Sequence, residues 1–149
     1  MRYTLAALFA GCLVGVLTPP NVVPAQSTPG FVVVVHRGNP VSSLGRTDVS
    51  RMFLKEVARW PNGQPVEPVD QGVSSPVRAS FSQSIHRRSP QSVASYWRQL
   101  VFSGRGLPPP EQRSDADVLR FVASHAGGIG YVSPSAPMTN VKTLQVSGL

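Results

Sequence analysis

A continuous run of apolar residues, FVVVV at positions 31–35, constrains the fold of this chain more than any other stretch. A strand with one face in water alternates apolar and polar residues, whereas this run has no polar position. It therefore predicts a strand that is buried on both faces, which is typical of a sheet covered by helices on both sides.

Three later segments begin with the same helix-start signal. Ser75-Pro76, Ser89-Pro90 and Ser114-Asp115 each place a capping side chain before a first helical turn, twice with Pro at the first helical position. Thr47 is a further candidate cap, for a short helix. The clearest 3.6-residue period follows Pro90, with apolar side chains at Val93, Tyr96, Trp97, Leu100 and Val101.

Strands alternate with helices along the chain, which predicts an α/β fold. We expect residues 31–35, 66–69 and 129–132 to form one largely parallel sheet. The helices that start at Pro90 and Asp115 are expected to cover it.

The first 25 residues are predicted to be a secretory signal peptide. Arg2 supplies a positive charge, residues 4–17 are apolar, and Val23-Pro24-Ala25 is a small-residue cleavage pattern. The apolar run is shorter than the about 20 residues that a membrane-spanning helix needs. We therefore expect cleavage before Gln26, a flexible lead at 26–30, and a periplasmic or secreted protein without stable membrane insertion. Lipidation at Cys12 is the alternative.

The 149-residue chain has room for one domain. Cys12 is its only cysteine, so the cleaved protein would contain no disulfide and would depend on its core. The net charge is +7 and arises mainly from arginine. Because these arginines are scattered and no nucleic-acid-binding motif is present, no nucleic-acid partner is expected.

The sequence contains no recognisable catalytic or metal-binding pattern. There is no G-x-S-x-G motif, and no Ser/His/Asp arrangement is identifiable from spacing. His36, His86 and His125 lack the spacing of metal ligands, so surface or capping roles are expected for them. The chain is therefore predicted to be neither an enzyme nor a cofactor-binding protein.

Three segments together resemble a known protein family. DVSRMFLKEVARW, at 48–60, is similar to the helix and following Leu-Gly-x-x-x-x-Trp segment of the phosphate-binding proteins of ABC transporters. DADVLRFVASHAGGIGYVSP, at 115–134, is similar to that family's closing helix and Pro-Gly-x-Ile-Gly-Tyr-Val segment. FVVVVHRGNPVSSL, at 31–44, resembles the strand by which the family's chain enters its second lobe. The order and spacing of the three segments also match.

The resemblance spans residues 31–146 and implies one lobe of a type II periplasmic binding protein. Members of that family hold their ligand between two lobes, and this chain has room for one. Trp60 and Trp97 are expected to be core residues. The glycines at 127, 128 and 130 are expected to allow close approach of a helix to a strand.

The segment VDQGVSSPVRASF, at 69–81, lies where this family has its phosphate loop. The family pattern is Arg-x-Asp-x-Ser-Gly-Thr at a helix start. Here Asp70 stands in place of the Arg, Ser74 matches the Ser, Ser75 replaces the Gly and Pro76 replaces the Thr. An acid at the first position repels phosphate, and the Pro removes an N–H donor.

Ser74, Ser75 and Arg78 are nevertheless the candidate oxyanion-binding residues. At this helix start, hydroxyl groups, free N–H groups and a guanidinium can converge on one anion. The alternative is structural: Ser75 caps the helix, Ser74 forms the turn, and Arg78 pairs with Asp70.

Two functions are compatible with these features. The first is that of a secreted, non-catalytic solute-binding-like protein that binds phosphate or another small oxyanion weakly, with an ABC permease as a partner. The alternative is an interaction module, in which the same lobe binds no small ligand and docks to another envelope protein or to a second copy of itself. Asp70 and Pro76 favour the alternative, whereas the two serines, Arg78 and the basic charge favour oxyanion binding.

Overall fold

The structure, a computed structural model, describes residues 30–149. The predicted signal peptide, Cys12, and the lead up to residue 29 lie outside the described residues. The strands are β1 (Val32–His36), β2 (Ser43–Gly45), β3 (Glu67–Pro68), β4 (Asp70–Gln71), β5 (Glu111–Gln112), β6 (Gly128–Val132), β7 (Val141–Thr143) and β8 (Gln145–Ser147). The helices are α1 (Arg46–Phe53), α2 (Pro76–Phe81), α3 (Pro90–Phe102) and α4 (Asp115–Ser124), and α2 continues into a π-helical turn at Ser82–His86.

The central sheet has four strands in the order β3-β6-β1-β7. Its β1 strand carries the apolar run, and both of its faces are covered. Val33 and Val35 belong to one core cluster, with α1, α2 and the π-helical turn, whereas Val34 belongs to a second cluster against α4. The prediction of a strand buried on both faces is therefore confirmed.

The predicted strand direction is wrong, although the α/β class is confirmed. Within the central sheet, only β3 and β6 pair in parallel, whereas β1 pairs antiparallel with both β6 and β7. The three predicted strands do share one sheet, because β1, β3 and β6 all belong to it. The segment that follows the predicted strand at 66–69, β4, leaves this sheet and pairs with β5. An apolar run reads the same in either direction, so it indicates that a strand is buried without indicating its orientation.

The two predicted covering helices differ in position. Helix α4 packs on β6 and β1, as expected. Helix α3 instead has its main contact with the π-helical turn at Ser82–His86, and none of its residues belongs to either core cluster. The prediction that the helix from Pro90 covers the sheet is therefore wrong. The periodic apolar residues of α3 indicate that one face of the helix is buried, but they do not indicate which element packs against that face.

The serine caps are confirmed. The hydroxyl of Ser75 accepts a hydrogen bond from the backbone N–H of Arg78, and Ser89 and Ser114 cap α3 and α4 in the same way. Thr47 is not a cap, because α1 begins at Arg46 and its N-cap residue is Gly45.

The three predicted close-approach glycines lie against backbone or packed side chains. A Cβ atom at Gly128 would lie 3.0 Å from Val122 Cα of α4, and one at Gly130 would lie 2.7 Å from Val118 Cγ1 of the same helix. Both distances are shorter than normal contacts, so glycine here lets α4 sit close on β6. Gly127 makes a different approach, to the backbone of Pro65.

Within residues 30–149, no helix is both long and apolar enough to cross a membrane.

Candidate functional site

The candidate site is formed where β4 and β5 meet the start of α2. The parallel pairing of these two short strands sets Asp70 opposite Glu111. Arg78 lies one turn into α2, and only 3% of its side chain is exposed. The guanidinium is therefore held between two carboxylates that come from different parts of the chain.

Protein groups take up most of the hydrogen-bonding capacity of Arg78. Its Nη1 atom donates to Glu111 Oε1 at 2.6 Å and to the carbonyl oxygen of Gln71 at 2.5 Å, and its Nη2 atom lies 3.1 Å from Asp70 Oδ2. Among the described residues, Nε–H has no partner. Most of the donors that could hold an anion are thus already engaged.

Asp70 is the more deeply buried of the two carboxylates, and it accepts two further hydrogen bonds. The hydroxyl of Tyr131 and the backbone N–H of Gln71 both donate to Asp70 Oδ1. Burial raises the pKa of Asp70 above its ordinary value, and the Arg78 guanidinium and these hydrogen bonds oppose that rise without cancelling it. The ion pair therefore offsets the cost of burying this acid.

Gln71 extends the network to α4 and β6. Its amide nitrogen Nε2 donates to Asp115 Oδ1 at 2.9 Å and to the carbonyl oxygen of Tyr131 at 3.0 Å, and its Oε1 accepts from the Ser75 hydroxyl at 2.7 Å. Asp115 in turn accepts from the backbone N–H of Ser133 at 3.1 Å. The network ties four elements together around the start of α2.

The three predicted oxyanion residues have different environments. Ser74 is exposed in the turn before α2. Ser75 uses its hydroxyl twice, as acceptor for the Arg78 N–H and as donor to Gln71. Arg78 pairs with Asp70, as the structural alternative predicts. Binding of an oxyanion to these residues stays a prediction.

Sequence reasoning missed Glu111 and Gln71, and it assigned Tyr131 no role in a polar network. Glu111 lies in the Pro-rich segment before α4, where no periodic pattern indicates a strand. Its separation of 33 residues from Arg78 also hides the ion pair from any local rule.

An apolar groove adjoins this polar cluster, with a volume of about 250 Å³. One wall is the apolar stripe of α3, and the loop after α3 closes the other side. Its lining residues are Asp70, Arg78, Ala94, Trp97, Arg98, Val101, Phe102, Pro108 and Glu111. Trp97 is buried, as predicted, but in this wall and outside the two core clusters, whereas Trp60 is a core residue.

The three histidines lie apart from this site. Nδ1 of His36 accepts a hydrogen bond from Gly38 N–H, and His125 stacks on Phe121 with the ring centres 3.9 Å apart. His86 is more enclosed than predicted: it lies 2.8 Å from the Ser50 hydroxyl and packs edge-on against Phe81. Among residues 30–149, no group of three or more His, Cys, Asp or Glu side chains is placed to hold a metal ion.

We expect His86 to make the folded protein sensitive to acid. Burial, assisted by the positive charges of Arg88 and Arg78, lowers the pKa of His86 from 6.5 to about 4. Between these two values the unfolded chain binds a proton that the folded chain does not, so stability falls as pH falls. The loss over the window is on the order of 3 kcal/mol.

The His86→Gln variant, which cannot take up this proton, should lose stability less steeply between pH 6.5 and pH 4. Urea unfolding at several pH values measures the slope. His36→Gln is the matched control and should retain the wild-type slope. An unchanged slope in His86→Gln would mean that the imidazole is protonated equally easily in both states.

Comparison with solved structures assigns the fold. The chain superposes on a protein of Clostridium perfringens, described as a phosphate ABC transporter substrate-binding protein and solved with bound phosphate, with a TM-score of 0.64 and 17% identity over 80% of this chain and 46% of that one. An ABC-type phosphate transport receptor of Vibrio cholerae superposes with a TM-score of 0.63 and 20% identity, over 80% of this chain and 47% of the receptor. A candidate phosphate-binding protein of Planctomyces limnophilus superposes with a TM-score of 0.60 and 13% identity, over 79% of this chain and 41% of that protein.

No protein-family profile and no curated protein sequence matches the chain. The chain spans about half the length of the solved proteins that it matches. Identities of 20% or less support the fold and no further property of those proteins. The family resemblance seen in the sequence is thus confirmed at the level of the fold, and the described residues form a single small α/β lobe with the fold of about half of a phosphate ABC transporter substrate-binding protein.

Proposed function

We propose that this protein is an exported, non-catalytic module that works by docking to another protein of the cell envelope and not by capturing phosphate. The observation that carries this proposal is the state of Arg78. Its guanidinium is 3% exposed and is held by Asp70 and Glu111, which are the protein's own anions.

Phosphate would have to displace one of these carboxylates to reach Arg78. The cluster of Arg78, Asp70 and Glu111 has one positive and two negative charges. Its net charge is therefore negative, and it repels phosphate. Separating a buried guanidinium from a buried carboxylate also leaves the carboxylate uncompensated, which costs several kcal/mol. The scaffold of an anion site is therefore present, but its positive charge is already neutralised.

Weak oxyanion binding at Ser74, Ser75 and Arg78 is the second candidate. Two observations favour it: Ser74 is exposed at the helix start, and Arg78 Nε has no partner among the described residues. Ser74 is open to water, so polar contacts with an anion there contribute only about 1 kcal/mol. A dissociation constant in the millimolar range, about −4 kcal/mol, is the most that this arrangement supports.

Calorimetric titration of the exported protein with phosphate and with sulfate separates the two candidates. We expect the exported chain to begin at Gln26 and to show no saturable binding of either anion below millimolar concentration. Asp70→Arg should show tighter anion binding than wild type if Asp70 is the main obstacle, and Arg78→Ala should show none. Submicromolar phosphate binding by the wild-type protein would contradict the docking proposal.

The solved proteins of this fold are described as substrate-binding or transport receptor proteins. An ABC permease is therefore one envelope partner that the proposal allows. Export to the periplasm follows from the predicted signal peptide, and the lipidated form at Cys12 would also place the lobe outside the cytoplasm.

A further inference from the structure

Helix α3 leaves much of its apolar face uncovered. Val93 and Trp97 are buried, but Val101 is 46% exposed, and Phe102 at the helix end is 90% exposed. In the loop that follows, Leu107 is 69% exposed. Trp97, Val101 and Phe102 line the groove, and Leu107 directly precedes its lining residue Pro108, so the open side of the groove is an apolar surface.

Three cations lie on or beside the edge of this groove and are called its rim: Arg98 lines it, Arg105 is in the loop between its lining residues Phe102 and Pro108, and Lys55 approaches Pro108. Arg98 on α3 and Arg105 in the following loop are exposed, and each donates a hydrogen bond to a neutral serine hydroxyl, on Ser95 and Ser103 respectively. Lys55 reaches the same edge, where its Nζ lies 3.4 Å from the carbonyl oxygen of Pro108.

The cations of the rim are not neutralised from within the lobe. In the part of the chain that the structure describes, none of the three forms an ion pair. The two carboxylates that line the groove, Asp70 and Glu111, are both engaged by Arg78. The groove thus presents an apolar centre surrounded by available positive charge.

We propose that this groove receives a segment of another protein that carries a large apolar side chain flanked by acidic residues. The proposal rests on the docking function proposed above and names the chemistry of its partner. An apolar anchor in a pocket supplies most of the affinity of such an interface, and opposite charges at the rim set the orientation and the rate of association.

Charge selects this occupant over a second copy of the chain. Two copies that meet groove to groove would bring Arg98, Arg105 and Lys55 of both together, and like charges at an interface oppose association. The basic net charge, which is +7 for the full sequence, also opposes self-association. An acidic segment gains from the same charges.

Tryptophan fluorescence provides a direct test, because Trp97 lies in the groove wall while Trp60 is buried in the core. The probe is a hexapeptide with a central Phe-Leu pair and two acidic residues on each side. We expect saturable binding that weakens as salt is raised, because exposed charge contacts are screened. A peptide with lysines in place of the acids, and one with Ser-Ser in place of Phe-Leu, should each bind at least about tenfold more weakly.

Variants locate the binding on the protein. The double variant Arg98→Glu/Arg105→Glu should weaken binding of the acidic peptide about tenfold, and Val101→Asp should weaken it through the apolar contact. Arg120→Glu is the matched control, because Arg120 is an exposed arginine on α4 that does not line this groove, and it should bind like wild type.

Equal binding of the acidic and the lysine-containing peptides, or no effect of the groove variants, would overturn the assignment of the groove. So would a dimer in sedimentation velocity that the same variants abolish, because the occupant would then be a second copy. None of these outcomes depends on phosphate. Failure of the groove proposal with no phosphate binding leaves the docking function intact at another surface, whereas tight phosphate binding overturns the docking function itself.

Discussion

Replacing Arg78 with methionine should lower the free energy of unfolding by about 3–5 kcal/mol. Methionine fills much of the same volume but leaves Asp70 buried without its counter-ion and leaves the Gln71 carbonyl without a donor. Glu111 contributes less, because its side chain is 53% exposed and water can replace the guanidinium. Urea unfolding followed by circular dichroism measures the change.

Arg120→Met is the control for this experiment. Arg120 pairs with Asp117 within α4 and is 75% exposed, so its loss should change stability by less than about 0.5 kcal/mol. A loss below about 1 kcal/mol in Arg78→Met would show that the buried pair contributes no more than a surface pair.

Adding Asp70→Asn to the Arg78→Met variant measures the interaction energy between these two residues. The double variant Asp70→Asn/Arg78→Met removes both charges, so it should be more stable than the sum of the single losses predicts. The loss of unfolding free energy caused by Arg78→Met alone should also be smaller at low pH. Burial already raises the pKa of Asp70, and a folded-state pKa above the unfolded value means that lowering the pH favours the folded state.

Gly127→Ala should cost about 3 kcal/mol or more, which is the upper range for overpacking a core position. The added Cβ atom would lie 1.9 Å from the carbonyl oxygen of Pro65, so one of the two backbone segments would have to move. Neither is free to do so. The carbonyl oxygen of Gly127 accepts hydrogen bonds from Trp60 Nε1 and from the backbone N–H of Glu67, each at 3.0 Å.

Gly72→Ala is the matched control, because no atom lies within 4 Å of a Cβ there and the backbone is not left-handed. That variant should be neutral or slightly more stable, since alanine restricts the unfolded chain. Thermal unfolding of the two variants side by side provides the measurement. Equal melting temperatures would mean that the strand pair near Gly127 adapts without cost.

The features that the sequence predicted correctly are those with local causes. A serine cap and the N–H that it accepts are three residues apart, so Ser75, Ser89 and Ser114 could be identified without knowledge of the fold. Burial of β1 was predictable in the same way, because a strand with no polar position has no face suited to water. The family motifs around Trp60 and Tyr131 also lie in continuous segments.

The state of the candidate site depended on contacts between distant segments. Arg78 could have bound an oxyanion or paired with an acid, and the residues near it in the sequence favour neither strongly. The pairing of β4 with β5 creates the second ion pair, because it brings Glu111 from 33 residues away to the same guanidinium that Asp70 holds.

The direction of β1 and the exposure of α3 were settled in the same way. Periodicity shows which face of an element is apolar, whereas tertiary packing chooses the neighbour that covers it. Val101 and Trp97 lie on one predicted stripe, yet Trp97 is buried and Val101 is half exposed, because the lobe covers only the first part of that helix.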